Sequence, residues 1–363
     1  MTARGVILTL DYPPGGGGIA RLLGEWTADT NAMEWLVLTS TPGPSTARVR
    51  RTTAVHGVPD LVRAVRWLRG GDPRIVVAGH PYLAGPANVV AALTRSRSAC
   101  IVFGRELLPT RRKHGLALRA LRHSDRVISI SDHSAALASA LGVDERRIRV
   151  VRPRLVPPWL AATVPTRRAG EGLQLVALTR LVEGYKNFEL LLRLCAVLHP
   201  RGVIGGLTII GDGPRREALR RKAGELGLGD VVRLPGRVPD DEVLGLLARA
   251  HLGLFPSRAS GAERGFEGYG LAVHELAAAG LPVLVGAAAG AMDAAVSPWS
   301  RLLDPDDLWA WVQATEDLFN DEPGRAELGA AALAWARSTR PHESAVALAS
   351  ALFDDAAIRE RVA

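Results

Sequence analysis

Two cysteines in 363 residues are too few to staple a secreted scaffold. Cys100 falls in a strand-like run and Cys195 in a helix-like one far along the chain, which predicts free thiols in a reducing, cytoplasmic compartment. Unbroken apolar segments are also scarce. The uncharged stretch Leu276–Met292 is interrupted by Gly280, Pro282, Gly286 and Gly290, so it does not read as a spanning helix. Met1–Leu10 is too short and wrongly flanked for a secretion signal. Lysine is rarest of all the charged types: Lys113, Lys186 and Lys222 are the only three among 45 basic residues. Where arginine serves nearly everywhere, a retained lysine marks a position that needs a compact ammonium.

Negative charge is short in one half only. Residues 1–160 hold 23 basic and 11 acidic residues, a net of +12, whereas residues 161–363 carry −4. A basic half fits an anionic small molecule, an anionic membrane surface, nucleic acid, or a merely solvated arginine-rich face. Nucleic acid is disfavoured, because the basic runs lack interleaved aromatics and no nucleic-acid motif is present.

The chain is too long for one core and suits two domains of about 150–200 residues. Apolar runs at Gly5–Leu10, Trp35–Leu38, Ile75–Ala78, Cys100–Phe103 and Val127–Ile130 alternate with helix-like segments such as Leu61–Leu68 and Leu116–Leu121. That alternation predicts a parallel sheet covered on both faces. Pro153, Pro157 and Pro158 place a linker at about 153–168. A second series then predicts strands at Leu173–Leu178, Leu207–Ile210, Val231–Leu234, Leu252–Phe255 and Pro282–Val285, with helices at Asn187–Leu198, Arg215–Leu226, Asp241–Ala250 and Gly270–Ala279. The predicted class is α/β, with two doubly wound, Rossmann-like domains whose strand ends face a central cleft.

The richest segment is Phe266-Glu267-Gly268-Tyr269-Gly270-Leu271, with Glu275 further along the helix that it opens. Eight residues of helix would separate Glu267 and Glu275 by about 12 Å and roughly 80°. Two carboxylates so placed suit two hydroxyl-bearing ends of one extended ligand. Gly268 and Gly270 allow close backbone approach, and first-turn amides can face an anion. Glutamate near a helix start also satisfies the macrodipole without any ligand.

The pattern E-G-[FY]-G-x-x-x-x-E after the strand end Pro256-Ser257 resembles the signature of the family 4 retaining glycosyltransferases, which have the GT-B fold. Other segments are similar in the same order. Leu178-Thr179-Arg180-Leu181 with Lys186-Asn187 resembles the family's R-L…K-G, with Asn187 in place of glycine. Ile209-Ile210-Gly211-Asp212-Gly213-Pro214 resembles I-x-G-x-G-P, and Leu234-Pro235-Gly236-Arg237-Val238 resembles L-x-G-x-V. Pro13-Pro14 with Gly16, Gly17 and Gly18 resembles the N-terminal glycine loop, and Ala289-Gly290-Ala291 the glycine pair, with Ala291 replacing one glycine.

The resemblance implies three parts: an acceptor-binding domain over 1–155, a nucleotide-sugar-binding domain over 156–338, and a helix within 339–363 that returns to the first domain. It implies that Arg180 and Lys186 clamp the leaving diphosphate, that Glu267 holds sugar hydroxyls near the anomeric carbon, and that Glu275 receives the ribose hydroxyls. Gly17, Gly18, Gly211, Gly268, Tyr269, Gly270, Leu271 and Gly290 would line the donor, with the Arg237 backbone meeting the base. On the acceptor side, Phe103-Gly104-Arg105-Glu106 resembles H-G-x-E, with Phe103 where a histidine is usual. Arg105, Glu106, His80 and His133 are the acceptor-side candidates.

The activity implied is transfer of a sugar, with retention, from a nucleotide diphosphate sugar to a small-molecule, lipid or glycan acceptor, without cofactor or metal. Asp304-Pro305-Asp306-Asp307 matches a D-x-D metal pattern, but it reads equally as a helix start, and the arginine–lysine pair already supplies the cations. Leu107–His114, basic and partly apolar, suits peripheral membrane contact, a phosphorylated acceptor or, first of all, an ordinary solvated face. The alternatives are a sugar phosphorylase or nucleotide-sugar epimerase on a similar fold, and a non-catalytic polyanion-binding protein.

Overall fold

A strand covered on both faces needs apolar side chains pointing both ways. Val6, Ile7 and Leu8 meet that need in β1 (Ala3–Thr9), and all three are buried in the computed structural model of the chain. The structure describes residues 3–14, 17–27, 33–45, 49–51, 57–72, 74–108, 113–154, 172–259, 265–339 and 341–353. Two compact units divide it: Met1–Leu155 together with Arg340–Ala363, and Val156–Thr339.

In the first unit β1 is followed by α1 (Gly18–Trp26), β2 (Met33–Thr39), β3 (Val49–Arg51) and α2 (Val58–Leu68). Next come β4 (Arg74–Ala78), α3 (Ala84–Thr94), β5 (Arg97–Val102) and α4 (Lys113–Arg122). The series closes with β6 (Arg126–Ser129), α5 (Asp132–Ala140) and β7 (Ile148–Val150). The strands form a parallel sheet in the order β3-β2-β1-β4-β5-β6-β7. The order reverses between β1 and β4, which opens a crevice at their carboxyl ends.

The second unit runs β8 (Leu173–Leu178), α6 (Phe188–Leu198), β9 (Ile204–Ile210), α7 (Arg216–Glu225), β10 (Val232–Gly236) and α8 (Asp240–Arg249). It continues with β11 (Leu252–Phe255), α9 (Leu271–Ala278), β12 (Val283–Gly286), α10 (Ala291–Ala294), β13 (Ser300–Leu303), α11 (Leu308–Asn320) and α12 (Glu322–Ser338). Its parallel sheet has the order β10-β9-β8-β11-β12-β13, so its switch point lies between β8 and β11. Leu191, Leu194 and Leu198 of α6 share one buried core with Leu175, Ile209 and Leu254. Each such leucine contributes about 1.5–3 kcal/mol relative to an exposed one.

The final helix, α13 (Pro341–Phe353), belongs to the first unit, where it packs on α1 and β6. Arg154 pairs with Glu343 at 3.1 Å, and Arg97 donates to the Phe353 carbonyl at 2.8 Å. Residues 155–171, which include most of the expected linker, lie outside the described residues.

The run that begins at Arg149 reads as a last strand of the first series and overlaps β7, whereas two strands, β3 and β13, have no counterpart in the apolar pattern. Both are sheet edges, paired along one flank only, where residues such as Ser300 and Arg301 are tolerated. β9 starts three residues earlier than Leu207, because Gly205 and Gly206 carry no side chain to mark it. Both cysteines are buried and free, and burial pushes the Cys195 thiol up to about 12. Among the described residues no helix is long and apolar enough to cross a membrane.

Candidate active site

The crevice between β8 and β11 receives two loops. After β8 the chain runs through Thr179 and Arg180 to a 3-10 turn, Gly184–Lys186, and then into α6. After β11 it runs through Pro256 and Ser257 toward Glu267 and α9. The loops are tied together: the Arg258 N–H donates to the Tyr185 carbonyl at 2.8 Å. Leu178, Thr179, Lys186, Phe255, Pro256 and Ser257 line a small cavity there.

Lys186 and Glu267, 81 residues apart, meet in this crevice, with Nζ donating to Oε2. Their side chains are only 9% and 17% exposed, so the pair stands in nearly dry surroundings where Coulomb forces are weakly screened. The ammonium also lies 5.4 Å from the Tyr185 ring centroid and 5.6 Å from that of Phe255. A compact cation is wedged between two rings and a carboxylate, a space that a planar guanidinium fits poorly.

Arg180 is on the same loop but reaches outward, 70% exposed, with Nη2 3.5 Å from Glu183 Oε1. Glu183 is buried and belongs to no motif; only its i, i+3 spacing from Arg180 signals it. Asn187 holds φ +56°, a left-handed conformation that asparagine tolerates, and its amide donates to the Pro305 carbonyl at 2.8 Å. The departure from glycine is thus accommodated and adds a tie to the β13–α11 loop.

Glu267 lies four residues before α9, not on it. The helical spacing expected between Glu267 and Glu275 therefore does not apply, because the chain turns through Gly268 and Tyr269 and enters α9 at Gly270 with φ +105°. Leu271 is the first helical residue, and Glu275 sits half-buried in the second turn. Tyr269 points into the core, edge-on to His274 at 5.4 Å, so it can offer a ligand its backbone rather than its phenol.

Gly290 fixes this turn. Its N–H donates to the Glu267 carbonyl at 3.0 Å, and a Cβ there would stand 2.0 Å from the Gly268 carbonyl oxygen. Its neighbour Ala289 adopts φ +49°, which costs a non-glycine residue about 1–2 kcal/mol. Gly211 fixes the β9 loop in a similar way. At φ +135° its missing Cβ would fall 1.9 Å from the Thr179 carbonyl, and its N–H donates to Gly236 at 3.0 Å. Arg237, exposed, follows Gly236 at the end of β10.

The D-x-D stretch is committed to local structure. Asp304 Oδ1 accepts from Asp306 N at 2.9 Å, and Asp307 Oδ1 accepts from Trp309 N and Ala310 N, capping α11. Among the described residues no three His, Cys, Asp or Glu side chains are grouped as a metal site requires.

In the first unit the candidates follow the carboxyl ends of four strands of one sheet. Gly17 is the N-cap of α1 at φ +117° and Gly18 its first residue; Gly15 and Gly16 lie outside the described residues. His80, after β4, accepts from the Tyr82 N–H through Nδ1 at 3.2 Å and packs 4.7 Å from the Tyr82 ring. After β5, Arg105 is exposed, while Glu106 Oε1 accepts from the Phe103 and Gly104 N–H groups. Glu106 thus fastens its own loop. His133, half-buried, is the second residue of α5, whose start Ser131 caps through the Ser134 N–H at 3.1 Å. Residues 109–112 of the basic run lie outside the described residues.

Comparison with known proteins adds a family match over part of the chain and a fold. Residues 166–335 match the family described as "Glycosyl transferases group 1". A GDP-mannose-dependent alpha-(1-6)-phosphatidylinositol monomannoside mannosyltransferase of Mycobacterium tuberculosis is 27% identical over 373 aligned positions, 92% of this chain and 93% of that one. A GDP-mannose-dependent monoacylated alpha-(1-6)-phosphatidylinositol monomannoside mannosyltransferase of Corynebacterium glutamicum is 22% identical, covering 90% of this chain and 91% of its own. Anabaena Alr3699/HepE, solved in complex with UDP, superposes with a TM-score of 0.74 at 16% identity over 98% of this chain and 100% of that one. The apo form of the lipopolysaccharide outer core galactosyltransferase WaaB gives 0.71 at 16% identity over 98% and 99%.

Proposed function

We propose that this chain is a group 1 glycosyltransferase, a GT-B enzyme that uses a nucleotide sugar, and that it cleaves the anomeric bond of a nucleotide diphosphate sugar at the β8/β11 crevice. The observation that carries this reading is the nearly dry Lys186–Glu267 pair, assembled from two loops at the switch point. Transfer proceeds with retention and without a metal.

The charge balance suggests how. Lys186 is paired with Glu267, and Arg180 with Glu183, before any ligand arrives. A donor diphosphate must therefore win these cations from their carboxylates. As the C1–O bond to the β-phosphate breaks, the added charge on the leaving group falls to the Lys186 ammonium and the Arg180 guanidinium. The exchange frees a Glu267 oxygen to accept from a sugar hydroxyl near C1. The acceptor oxygen bonds to C1 on the face that the diphosphate vacates, and its proton passes to the departing phosphate. Glu275 receives the ribose hydroxyls. Gly211, Gly268, Gly270, Leu271 and Gly290 bring backbone close to the donor, and the first unit binds the acceptor.

The mannosyltransferase relatives make GDP-mannose the donor to test first and a lipid-linked polyol a sound first acceptor class. A thermal-shift panel of UDP, GDP, ADP and dTDP identifies the nucleotide. Release of that nucleoside diphosphate from the matching sugar donor only when acceptor is present is the expected result. Phosphate-dependent sugar cleavage without nucleotide would instead assign a phosphorylase.

A further inference from the structure

The turn Asp304–Asp307 ends beside the lysine loop of the crevice. Its Pro305 carbonyl accepts from Asn187 Nδ2 at 2.8 Å, a buried contact between residues 118 apart in the chain. Asn187 follows Lys186 directly and is the N-cap of α6. An asparagine at an N-cap ordinarily turns its side chain back onto the first helical amides. Here it makes no such bond, and its amide reaches Pro305 instead. The glycine of the R-L…K-G pattern would take the same left-handed backbone without strain, but it carries no donor.

A tie positions a loop only if its far end is fixed. The turn is held from three directions. Trp311, wholly buried in the core of the second unit, donates Nε1 to the Asp304 carbonyl at 2.9 Å. Asp304 Oδ1 accepts from Asp306 N at 2.9 Å, and Asp307 caps α11. The near end is short, because Asn187 and Lys186 share a peptide bond and the Lys186 N–H donates to the Glu183 carbonyl at 3.3 Å. A second link from the turn, Arg258 to Asp306 at 3.4 Å, has side chains 39% and 70% exposed. A solvated pair of that length contributes little. A hydrogen bond between buried groups escapes solvent screening, so the Asn187 amide carries the connection.

We propose that Asn187 is a positioning residue for Lys186: through the Pro305 carbonyl it fixes the backbone from which the ammonium reaches the leaving diphosphate. This rests on the reading that Lys186 meets a donor diphosphate. The Tyr185 and Phe255 rings and Glu267 confine the head of the lysine, and the tie to Pro305 fixes the root of its stem. Misplacement by about 1 Å can cost an active site roughly 100-fold. Losing one restraint among several is expected to cost less, about threefold to tenfold.

The test is a double-mutant cycle on the full chain. Whichever of UDP, GDP, ADP and dTDP binds best is titrated calorimetrically into wild type, Asn187→Gly, Lys186→Ala and the double variant. Glycine keeps the left-handed backbone, so the substitution removes the amide alone. Asn187→Gly is expected to weaken binding at least threefold when Lys186 is present and not when it is absent. A smaller effect in the presence of Lys186 overturns the proposal, and so does an equal effect in both backgrounds. If Lys186→Ala binds like wild type, or no nucleotide binds, the diphosphate reading fails and takes the proposal with it. Those two results need no Asn187 variant, which distinguishes the failures.

Turnover separates positioning from folding. The esterified donor carries less charge at its β-phosphate than the departing diphosphate, so the ammonium matters most in the transition state. With the matching nucleotide sugar, Asn187→Gly should lower kcat up to tenfold and shift the donor KM less than threefold. A lower melting temperature with kcat unchanged per nucleotide-binding site would assign the tie to folding alone and overturn the proposal.

Discussion

The two sheets share one strand order through their first six strands, yet their carboxyl edges are furnished differently. In the second unit, side chains from distant loops converge: Lys186 and Glu267 form an ion pair, and Gly290 closes the turn that presents Glu267. In the first unit, candidates on neighbouring strand ends make local bonds. Glu106 holds the Phe103 and Gly104 amides, and His80 holds the Tyr82 amide. The same topology thus carries a prebuilt electrostatic centre in one unit and separately stabilised loops in the other. A charge centre that must respond to a leaving group needs preorganisation, whereas a surface that orients a hydroxyl can rely on loop shape.

The sharpest way to break that contrast is Lys186→Ala. Loss of the ammonium leaves Glu267 unmatched in a nearly dry crevice, and turnover is expected to fall by about 10²–10³-fold. Turnover within threefold of wild type would remove the second unit's distinction.

Glu25 sharpens the contrast from the first unit. Burial pushes its carboxyl up to about 7 from 4.5, with Arg21 partly opposing. The folded state therefore holds the proton more tightly than the unfolded chain, so stability falls as pH rises from about 4.5 to about 7 and stays low above that. Glu25→Gln should stabilise the protein by about 1–3 kcal/mol at pH 8 and by little at pH 4, as read by denaturant titration at both values. Equal effects at the two pH values would deny the shift.

Glu106→Gln tests the local role. One carboxylate accepting two backbone amides is expected to contribute about 1–2 kcal/mol of stability, and its loss should raise the acceptor KM more than the donor KM. The smallest effect belongs to Ala289→Gly, which relieves the left-handed strain at φ +49° and should raise stability by about 0.5–1 kcal/mol. A decrease would mean that the Ala289 methyl is packed more usefully than its backbone is strained.

Much of the fold is legible in the sequence because buried parallel strands must be apolar on both faces. β8 and β11 occupy the ranges that their apolar runs mark. Edge strands escape that constraint, which is why β3 and β13 leave no apolar signature. At the site, scarcity exposed Lys186, and the glycine-flanked motif exposed Glu267. Their partnership was not legible, since nothing local links residues 81 apart. Glu183 was hidden because it stands between Arg180 and Lys186 at a position that the quoted motif leaves unspecified, with only its i, i+3 spacing from Arg180 to signal it. The helical spacing assigned to Glu267 and Glu275 failed because a left-handed glycine at position 270 turns the chain before the helix begins.

The most direct measurement is a calorimetric titration of the best-binding nucleoside diphosphate into wild type, Glu267→Gln and Lys186→Ala. If phosphate and Glu267 compete for one ammonium, Glu267→Gln binds several-fold more tightly than wild type while losing most turnover, and Lys186→Ala binds at least tenfold more weakly. Equal affinities across all three proteins would contradict a diphosphate site at the Lys186–Glu267 pair.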